Sequence, residues 1–194
     1  MRGNKDGKAM KPILKSKLKL AVLAPPCMLS PGLQAERKQG RHWGYPFIEL
    51  IMRYGVDIEL LPCPESTFKG YSSGLRRNKH GIDYYTHLDG YKEHCIFLAK
   101  QSADLVADMQ GGGYKFIYWL GVEHSPTCAA TYMYSCHGML KRQGIFYECL
   151  QEELKLRGII IPQKGINRTY LRKALVSLEQ ALLSEGQTEK DDLF

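Results

Sequence analysis

Three cysteines, each following a predicted strand, are the residues of this chain best suited to chemistry. Cys27 ends the stretch VLAPPC, Cys63 lies within LLPCPE, and Cys128 ends the stretch HSPTC. Ligands that follow different strands of a parallel sheet converge at the carboxyl edge of that sheet. Three thiolates can hold a metal or a metal cluster and leave one coordination position open. The pattern therefore predicts one metal site built from Cys27, Cys63 and Cys128.

Packing offers another explanation for these thiols, because free cysteines are among the most buried residues. The prolines around Cys63 and the Ser-Pro-Thr before Cys128 mark breaks in regular structure, where packing alone gives no reason for a thiol. Cys95 and Cys149 fall within helical patterns and are expected in the core. Cys136, in YMYSCHGM, is open to either role.

The length and charge pattern predict one folded domain between two charged ends. The 194 residues with 44% hydrophobic content predict a single globular domain over residues 18–186. The formal net charge is +7, but residues 1–20 carry seven basic side chains and a single aspartate, so the remainder is nearly neutral. Residues 1–17 are predicted to be a basic flexible leader and residues 187–194 a short acidic tail. Only the leader carries the charge that contact with nucleic acid would need.

Cysteine usage and hydropathy predict a cytoplasmic protein without a membrane partner. The stretch LKLAVLAPPC is too short for a membrane span and lacks the cleavage site of a signal peptide. Six cysteines without regular spacing do not indicate a disulfide scaffold. Thiolates kept for a metal need a reducing compartment, so the cytoplasm is expected. The sequence leaves the oligomeric state open.

Apolar runs and helical periodicity alternate along the chain. The runs predict four strands, at residues 18–24, 56–61, 115–122 and 158–162. The periodicity predicts four long helices, at residues 46–54, 88–109, 145–157 and 168–184. This alternation predicts a single Rossmann-like α/β domain with a mostly parallel sheet flanked by helices. Residues 66–86 are polar and glycine-rich, which predicts a surface loop that in part covers the site like a lid.

The three cysteine segments, taken together, resemble a known family. The chain has Cys-Met-Leu after the first strand, Pro-Cys-Pro-Glu after the second, Ser-Pro-Thr-Cys after the third, and then KRQGIFYECLQEELKLRGIII. In this order, over roughly residues 18–162, they resemble the bacterial and archaeal family with CPE and SPSCG motifs that includes the 2-thiouracil desulfidase. The chain departs from that family after Cys27, where it reads CMLSPGLQAERKQG, and after Cys128, where alanine replaces the usual glycine.

The resemblance implies a cofactor, a substrate class and catalytic residues. It implies a [4Fe-4S] cluster held by Cys27, Cys63 and Cys128, whose fourth iron is free to bind the substrate's sulfur. It implies catalytic roles for a carboxylate shortly before the middle cysteine and a serine before the last, positions that Glu59 and Ser125 occupy. The implied partner is a small thiolated substrate, and the implied reaction is hydrolytic removal of thiocarbonyl sulfur.

Each residue near the motifs also has a plainer interpretation. Glu59 could lie on the polar face of its strand, and Glu65 could supply the working carboxylate instead. Ser125, before a proline, could be a turn serine. His124 could be a proton donor or an ordinary surface residue.

Other functions use the same residues differently. The open iron could act as a Lewis acid on an oxygen ligand, as in a dehydratase. Cys128 and His124 could form the nucleophile and base of a hydrolase. A non-catalytic metal- or RNA-binding module is the remaining alternative.

Overall fold

Four parallel strands form the centre of the protein. The computed structural model describes residues 19–33, 42–70 and 81–191. Numbered along the chain, the strands of this sheet are β1 (Lys19–Ala24), β2 (Asp57–Leu60), β3 (Tyr114–Val122) and β6 (Gln163–Ile166). Their order across the sheet is β2-β1-β3-β6, and every neighbouring pair is parallel. The apolar run of β1 is buried, as expected for a central strand covered on both faces.

Long helices cover both faces of this sheet. They are α1 (Tyr45–Arg53), α4 (Tyr91–Gly111), α5 (Ile145–Leu156) and α6 (Leu171–Asp191). Side chains of α1 and α6 share one core with the sheet, and those of α4 and α5 share the core on its other face. Cys95 and Cys149 belong to the α4–α5 core, as predicted. The predicted α/β architecture with a mostly parallel sheet between helices is confirmed.

The chain reverses its direction across the sheet between β1 and β3. It passes from β1 through α1 to β2, then crosses back over β1 through α4 to reach β3 on the other side. In parallel sheets, such a reversal opens a crevice beyond the carboxyl ends of the two strands concerned. Cys27 follows β1 and Cys128 follows β3, so both cysteines lie at the reversal.

The fourth parallel strand lies later in the chain than the apolar run GIIIP predicted. Residues 159–162 form no strand; Ile159 and Ile161 are buried in the core, whereas Ile160 is 88% exposed. Contact with β3 begins where the Trp119 N–H donates to the Pro162 carbonyl at 2.8 Å. The prediction was wrong because this apolar run anchors an irregular connection in the core instead of pairing along its length.

Two other regions differ from the predicted elements. The last helix begins at Leu171 and continues to Asp191, beyond the predicted end near residue 184. In the turn before this helix, the side-chain oxygen of Asn167 accepts the N–H of Thr169 at 2.9 Å. An antiparallel hairpin of β4 (Tyr132–Ser135) and β5 (Gly138–Lys141) was not predicted.

Short helices occupy the described parts of the predicted surface loop. They are α2 (Pro64–Thr67) and α3 (Ile82–Thr86). Residues 71–80 of the predicted lid and the predicted leader, residues 1–17, lie outside the described residues. Among the described residues, no helix is long and apolar enough to cross a membrane.

The start of α5 is seated on the turn that carries Cys128. The Ile145 N–H donates to the Pro126 carbonyl at 3.0 Å, and the Phe146 N–H donates to the Thr127 carbonyl at 3.1 Å. A Cβ atom at Gly144 would lie 2.2 Å from the Thr127 carbonyl carbon and 2.4 Å from the Cys128 nitrogen. Only glycine therefore allows the helix to approach the turn this closely.

We expect Gly144→Ala to lower the free energy of unfolding by about 2 kcal/mol, because its methyl group would meet rigid backbone. Gly111→Ala is the matched control, since a Cβ atom there meets nothing within 4 Å and alanine favours a helix. Urea denaturation measures both variants. Equal stability of the two variants would contradict the described contact.

Candidate metal centre

The three predicted cysteines line one cavity at the carboxyl edge of the sheet. The empty space in the cavity is about 300 Å³, counting the part open to solvent. Glu65 and Thr127 are the other polar residues of its wall, and the rest is apolar: Pro25, Pro26, Leu61, Pro62, Pro64, Phe146 and Tyr147. The other three cysteines, all within the described residues, do not line it.

Local backbone structure positions Cys27 and Cys63 after their strands. Cys27 lies in a short 3₁₀ helix, Pro26–Met28, that begins as soon as β1 ends. Cys63 precedes α2, and its carbonyl accepts the N–H groups of Ser66 and Thr67 at 3.0 and 3.1 Å. Both thiols are thus held at the first turn after a strand.

Ser125 shapes the turn that presents Cys128. Its hydroxyl oxygen accepts the N–H groups of Thr127 and Cys128 at 3.3 and 3.2 Å. The Cys128 carbonyl accepts the Val122 N–H at 3.0 Å, which ties the turn back to β3. The Cys128 thiol also donates to the Ser125 hydroxyl at 3.2 Å. Ser125 is therefore a turn serine that also touches a candidate ligand.

Burial keeps the three thiols protonated in the metal-free protein. Burial raises the pKa of Cys27 well above its ordinary value, and nearby Cys128 and Cys63 raise it further. Burial, followed by the charge of Glu65, raises the pKa of Cys63 to about 11. Burial also raises the pKa of Cys128 to about 12. A metal that binds all three sulfurs must therefore displace their protons.

A cluster and a single ion make different demands on three cysteine ligands. Among the described residues, no three Cys, His, Asp or Glu side chains are grouped closely enough to hold one ion. A single zinc ion draws its ligand atoms to about 2.0–2.3 Å from one point. A cluster binds each thiolate through a different iron and so keeps the sulfurs apart. Cys27, Cys63 and Cys128 line the same cavity from three separate segments of the chain, as the ligands of a cluster would.

Glu65 is the acidic side chain of the cavity wall, and two hydroxyl groups orient it. Its Oε1 atom accepts a hydrogen bond from the Thr127 hydroxyl at 2.7 Å, and the Tyr85 hydroxyl also donates to it. The Tyr91 hydroxyl lies 3.1 Å from the Thr127 hydroxyl and extends this network. Burial raises the pKa of Glu65, although these hydrogen bonds lower it in part. A buried carboxyl group with a raised pKa in a cavity wall is a candidate for proton transfer.

Glu59 and His124 do not line the cavity. Glu59 lies on β2 opposite Leu23, where burial raises the pKa of its carboxyl group. His124 has a positive φ of 69°, and its ring lies 4.8 Å from that of Tyr134 on the hairpin. Cys136, in the hairpin turn, is exposed, and its N–H donates to Asp83 at 2.6 Å. None of the three contributes to the wall of the candidate metal centre.

The positive charge of Arg168 acts on groups in the cavity wall, a role that was not predicted from the sequence. Its positive charge lowers the pKa of both Cys27 and Glu65, against the larger effect of burial. It follows β6 at the edge where the cysteines follow their own strands. If the fourth strand had been predicted at residues 163–166, Arg168 would have been expected at the carboxyl edge of the sheet. The strand predicted at residues 158–162 gave no such indication.

We expect the metal-free protein to lose stability as the pH rises above about 9. The unfolded chain releases the Cys63 proton near pH 8.5, whereas the folded protein keeps it until about pH 11. The free energy of unfolding should therefore fall by up to about 1.4 kcal/mol per pH unit for this thiol. Below pH 8 the same thiol should contribute no pH dependence.

Urea denaturation of wild type and Cys63→Ala from pH 7 to pH 10.5 isolates this contribution, because other titrating groups are common to both proteins. The wild type should show the steeper loss of stability above pH 9. Parallel pH profiles for the two proteins would contradict the buried, protonated thiol.

The geometry of the site is what points to a function. No protein-family model, curated protein or solved structure matches this chain. The groups available for chemistry are three converging thiols, a protonatable carboxyl group and a nearby arginine.

Proposed function

We propose that the protein is an iron–sulfur-dependent desulfidase that hydrolytically removes thiocarbonyl sulfur from a thiopyrimidine or a similar small compound. The observation that carries the proposal is the convergence of three thiols from three strand ends on a cavity whose acidic side chain is Glu65. In the reaction, the carbon–sulfur double bond breaks and a carbonyl forms with the oxygen of water. The sulfur leaves as hydrogen sulfide with the two protons of that water.

The three cysteines would hold a [4Fe-4S] cluster. When bound, the cluster would supply a thiophilic Lewis acid through the iron that no protein sulfur occupies. Cys27, Cys63 and Cys128 must give up their protons for this, and two features of the chain favour the thiolate form. Arg168 lowers the pKa of Cys27, and the positive end of α5 faces the turn that carries Cys128.

Glu65 is the proposed proton-transfer residue. Its carboxylate would accept a proton from the attacking water and return it to the leaving sulfur, and its raised pKa suits both steps. Thr127 and Tyr85 hold the carboxyl group in one orientation toward the cavity. Ser125 would position the Cys128 thiol through their 3.2 Å contact. The resemblance assigns the role of catalytic carboxylate to Glu59 instead. That assignment stays a prediction, which the Glu59→Gln variant tests.

A Rossmann-like sheet and a reducing compartment belong to the same proposal. The reversal between β1 and β3 supports the first, because doubly wound sheets bind ligands at this kind of switch point. The six cysteines, which form no disulfide within the part of the chain that the structure describes, support the second, and the cytoplasm provides such conditions.

The hydrolase alternative has less support than the metal centre. A nucleophilic cysteine needs a lowered pKa, whereas burial raises the pKa of Cys128 to about 12. Its candidate base, His124, packs against Tyr134 away from the cavity wall. The dehydratase-like alternative shares the proposed cluster, so the choice of substrate separates it from the desulfidase.

We expect Cys27→Ser, Cys63→Ser and Cys128→Ser each to lose bound iron after anaerobic reconstitution, because each change removes one ligand. Cys95→Ala and Cys149→Ala are the controls, since both thiols pack in the core between α4 and α5. They should keep iron and lose only about 1 kcal/mol of stability. Iron and sulfide analysis measures the effect, and equal iron in all five variants would refute the ligand assignment.

We expect Glu65→Gln to retain iron but release sulfide from 2- or 4-thiouracil roughly 10²- to 10⁴-fold more slowly, the usual contribution of a general acid–base group. Glu59→Gln is the matched control, because it changes a partly buried glutamate that does not line the cavity. Sulfide release by each iron-loaded variant is the measurement.

The opposite pattern, with activity lost only in Glu59→Gln, would return the role to Glu59. Iron-loaded wild type that releases no sulfide from any thiopyrimidine would contradict the desulfidase and favour the dehydratase-like reaction.

A further inference from the structure

Ser66 is a buried serine one helical turn after a candidate metal ligand. It lies three residues beyond Cys63 in α2, and its N–H donates to the Cys63 carbonyl at 3.0 Å. The residue is only 1% exposed and does not line the cavity. Within residues 19–33, 42–70 and 81–191, no nitrogen or oxygen atom pairs with its hydroxyl group. Leaving a buried hydroxyl group unpaired is costly.

The Cys63 sulfur is the group on which this hydroxyl acts. Burial and the charge of Glu65 raise the pKa of the Cys63 thiol, whereas the Ser66 hydroxyl lowers it as a hydrogen-bond donor. The Cys63 carbonyl already accepts the Thr67 hydroxyl at 3.1 Å. A neutral thiol is only a weak acceptor, so Ser66 gains little from it in the metal-free protein. A thiolate is a stronger acceptor, because charge-assisted hydrogen bonds are roughly twice as strong as neutral ones.

We propose that Ser66 is a positioning residue that donates a hydrogen bond to the Cys63 thiolate when this sulfur binds metal. The inference rests on the metal site of the proposed function, and it concerns a residue to which the resemblance gives no role. Residues that hydrogen-bond to metal ligands typically contribute roughly 10- to 100-fold to metal affinity. Hydrogen bonds to the sulfurs also help to set the reduction potential of an iron–sulfur cluster. Ser66 would orient the Cys63 sulfur and stabilise its negative charge.

Three serine variants isolate this hydrogen bond. Ser66→Ala removes only the hydroxyl group, and Ser66→Thr keeps it. Ser102→Ala is the matched control, because Ser102 is also buried but donates to the Leu98 carbonyl at 2.8 Å within α4. Anaerobic redox titration of the reconstituted full chain, followed by electron paramagnetic resonance, measures the reduction potential of the cluster. The potential reports the charge at the ligand sulfur, since the proposed hydrolysis itself transfers no electrons.

We expect the reduction potential to fall in Ser66→Ala, because a reduced cluster carries more negative charge for the hydroxyl to stabilise. At a fixed potential, the ratio of reduced to oxidised cluster should drop roughly 10-fold, which is about 59 mV for one electron. Ser66→Thr should restore part of the wild-type potential, and Ser102→Ala should match wild type. A role of Ser66 in packing alone would leave the potential unchanged.

Cadmium tests the same hydrogen bond without iron. Cd²⁺ is a soft ion that thiolates bind, and competition with a chelator measures its affinity for the metal-free full chain. Ser66→Ala should bind Cd²⁺ roughly 10-fold more weakly than wild type, whereas Ser102→Ala should bind it equally well. In a Cys63→Ser background, adding Ser66→Ala should have no further effect, because the sulfur that accepts the hydrogen bond is gone.

The outcomes separate this inference from the proposed function. An unchanged reduction potential in iron-loaded Ser66→Ala would overturn the role of Ser66, even if the protein releases sulfide from a thiopyrimidine. If wild type or Ser66→Ala takes up no cluster, the Cd²⁺ affinities decide, and equal affinities of the two proteins would overturn it. Wild type that takes up no iron, or that binds a cluster without releasing sulfide, would contradict the desulfidase. A Ser66-dependent Cd²⁺ affinity or potential in that protein would still support the hydrogen bond.

Discussion

The seating of α5 on the turn before Cys128 is the contact on which the candidate metal centre depends. Thr127 lies at its centre: its carbonyl accepts the N–H of Phe146, and its hydroxyl donates to Glu65. The same contact places Phe146 and Tyr147 in the cavity wall, and a hydrogen bond from the Tyr147 hydroxyl to the Leu120 carbonyl fixes the second ring. One helix terminus thus joins a ligand-bearing turn, the carboxyl group and the apolar wall in a single unit.

Desolvation then determines what the site can bind. Three thiols and a carboxyl group share an apolar cavity, so in the metal-free protein the thiols stay neutral and the pKa of Glu65 is raised. A bound cationic metal centre would reverse this balance, because its charge would stabilise the thiolates. Arg168 and the positive end of α5 assist in the same direction. The cavity is therefore unfavourable for thiolates without a bound cation, and the proposed cluster would supply that positive charge.

Much of the fold could be predicted from the sequence, and so could the convergence of the three cysteines at one edge of the sheet, because local patterns encode both. Buried parallel strands give continuous apolar runs, and a cysteine just beyond such a run lies at the carboxyl edge whatever the remaining fold. The run GIIIP was misread because core packing of a loop and strand pairing leave the same apolar signature. Contacts between distant segments leave no periodic signal, so the hydrogen bonds of Thr127 and Tyr85 to Glu65 could not be predicted. Arg168 was missed for another reason: its position at the edge of the sheet becomes apparent only when the fourth strand is placed at residues 163–166.

Anomalous diffraction at the iron absorption edge, on crystals of the reconstituted protein grown without oxygen, tests the central claim most directly. It locates iron independently of activity and of colour. We predict an iron signal inside the cavity, within bonding distance of the sulfurs of Cys27, Cys63 and Cys128 and of no fourth protein sulfur. Absence of iron from the cavity, or a cluster bound through Cys95, Cys136 or Cys149, would contradict this account.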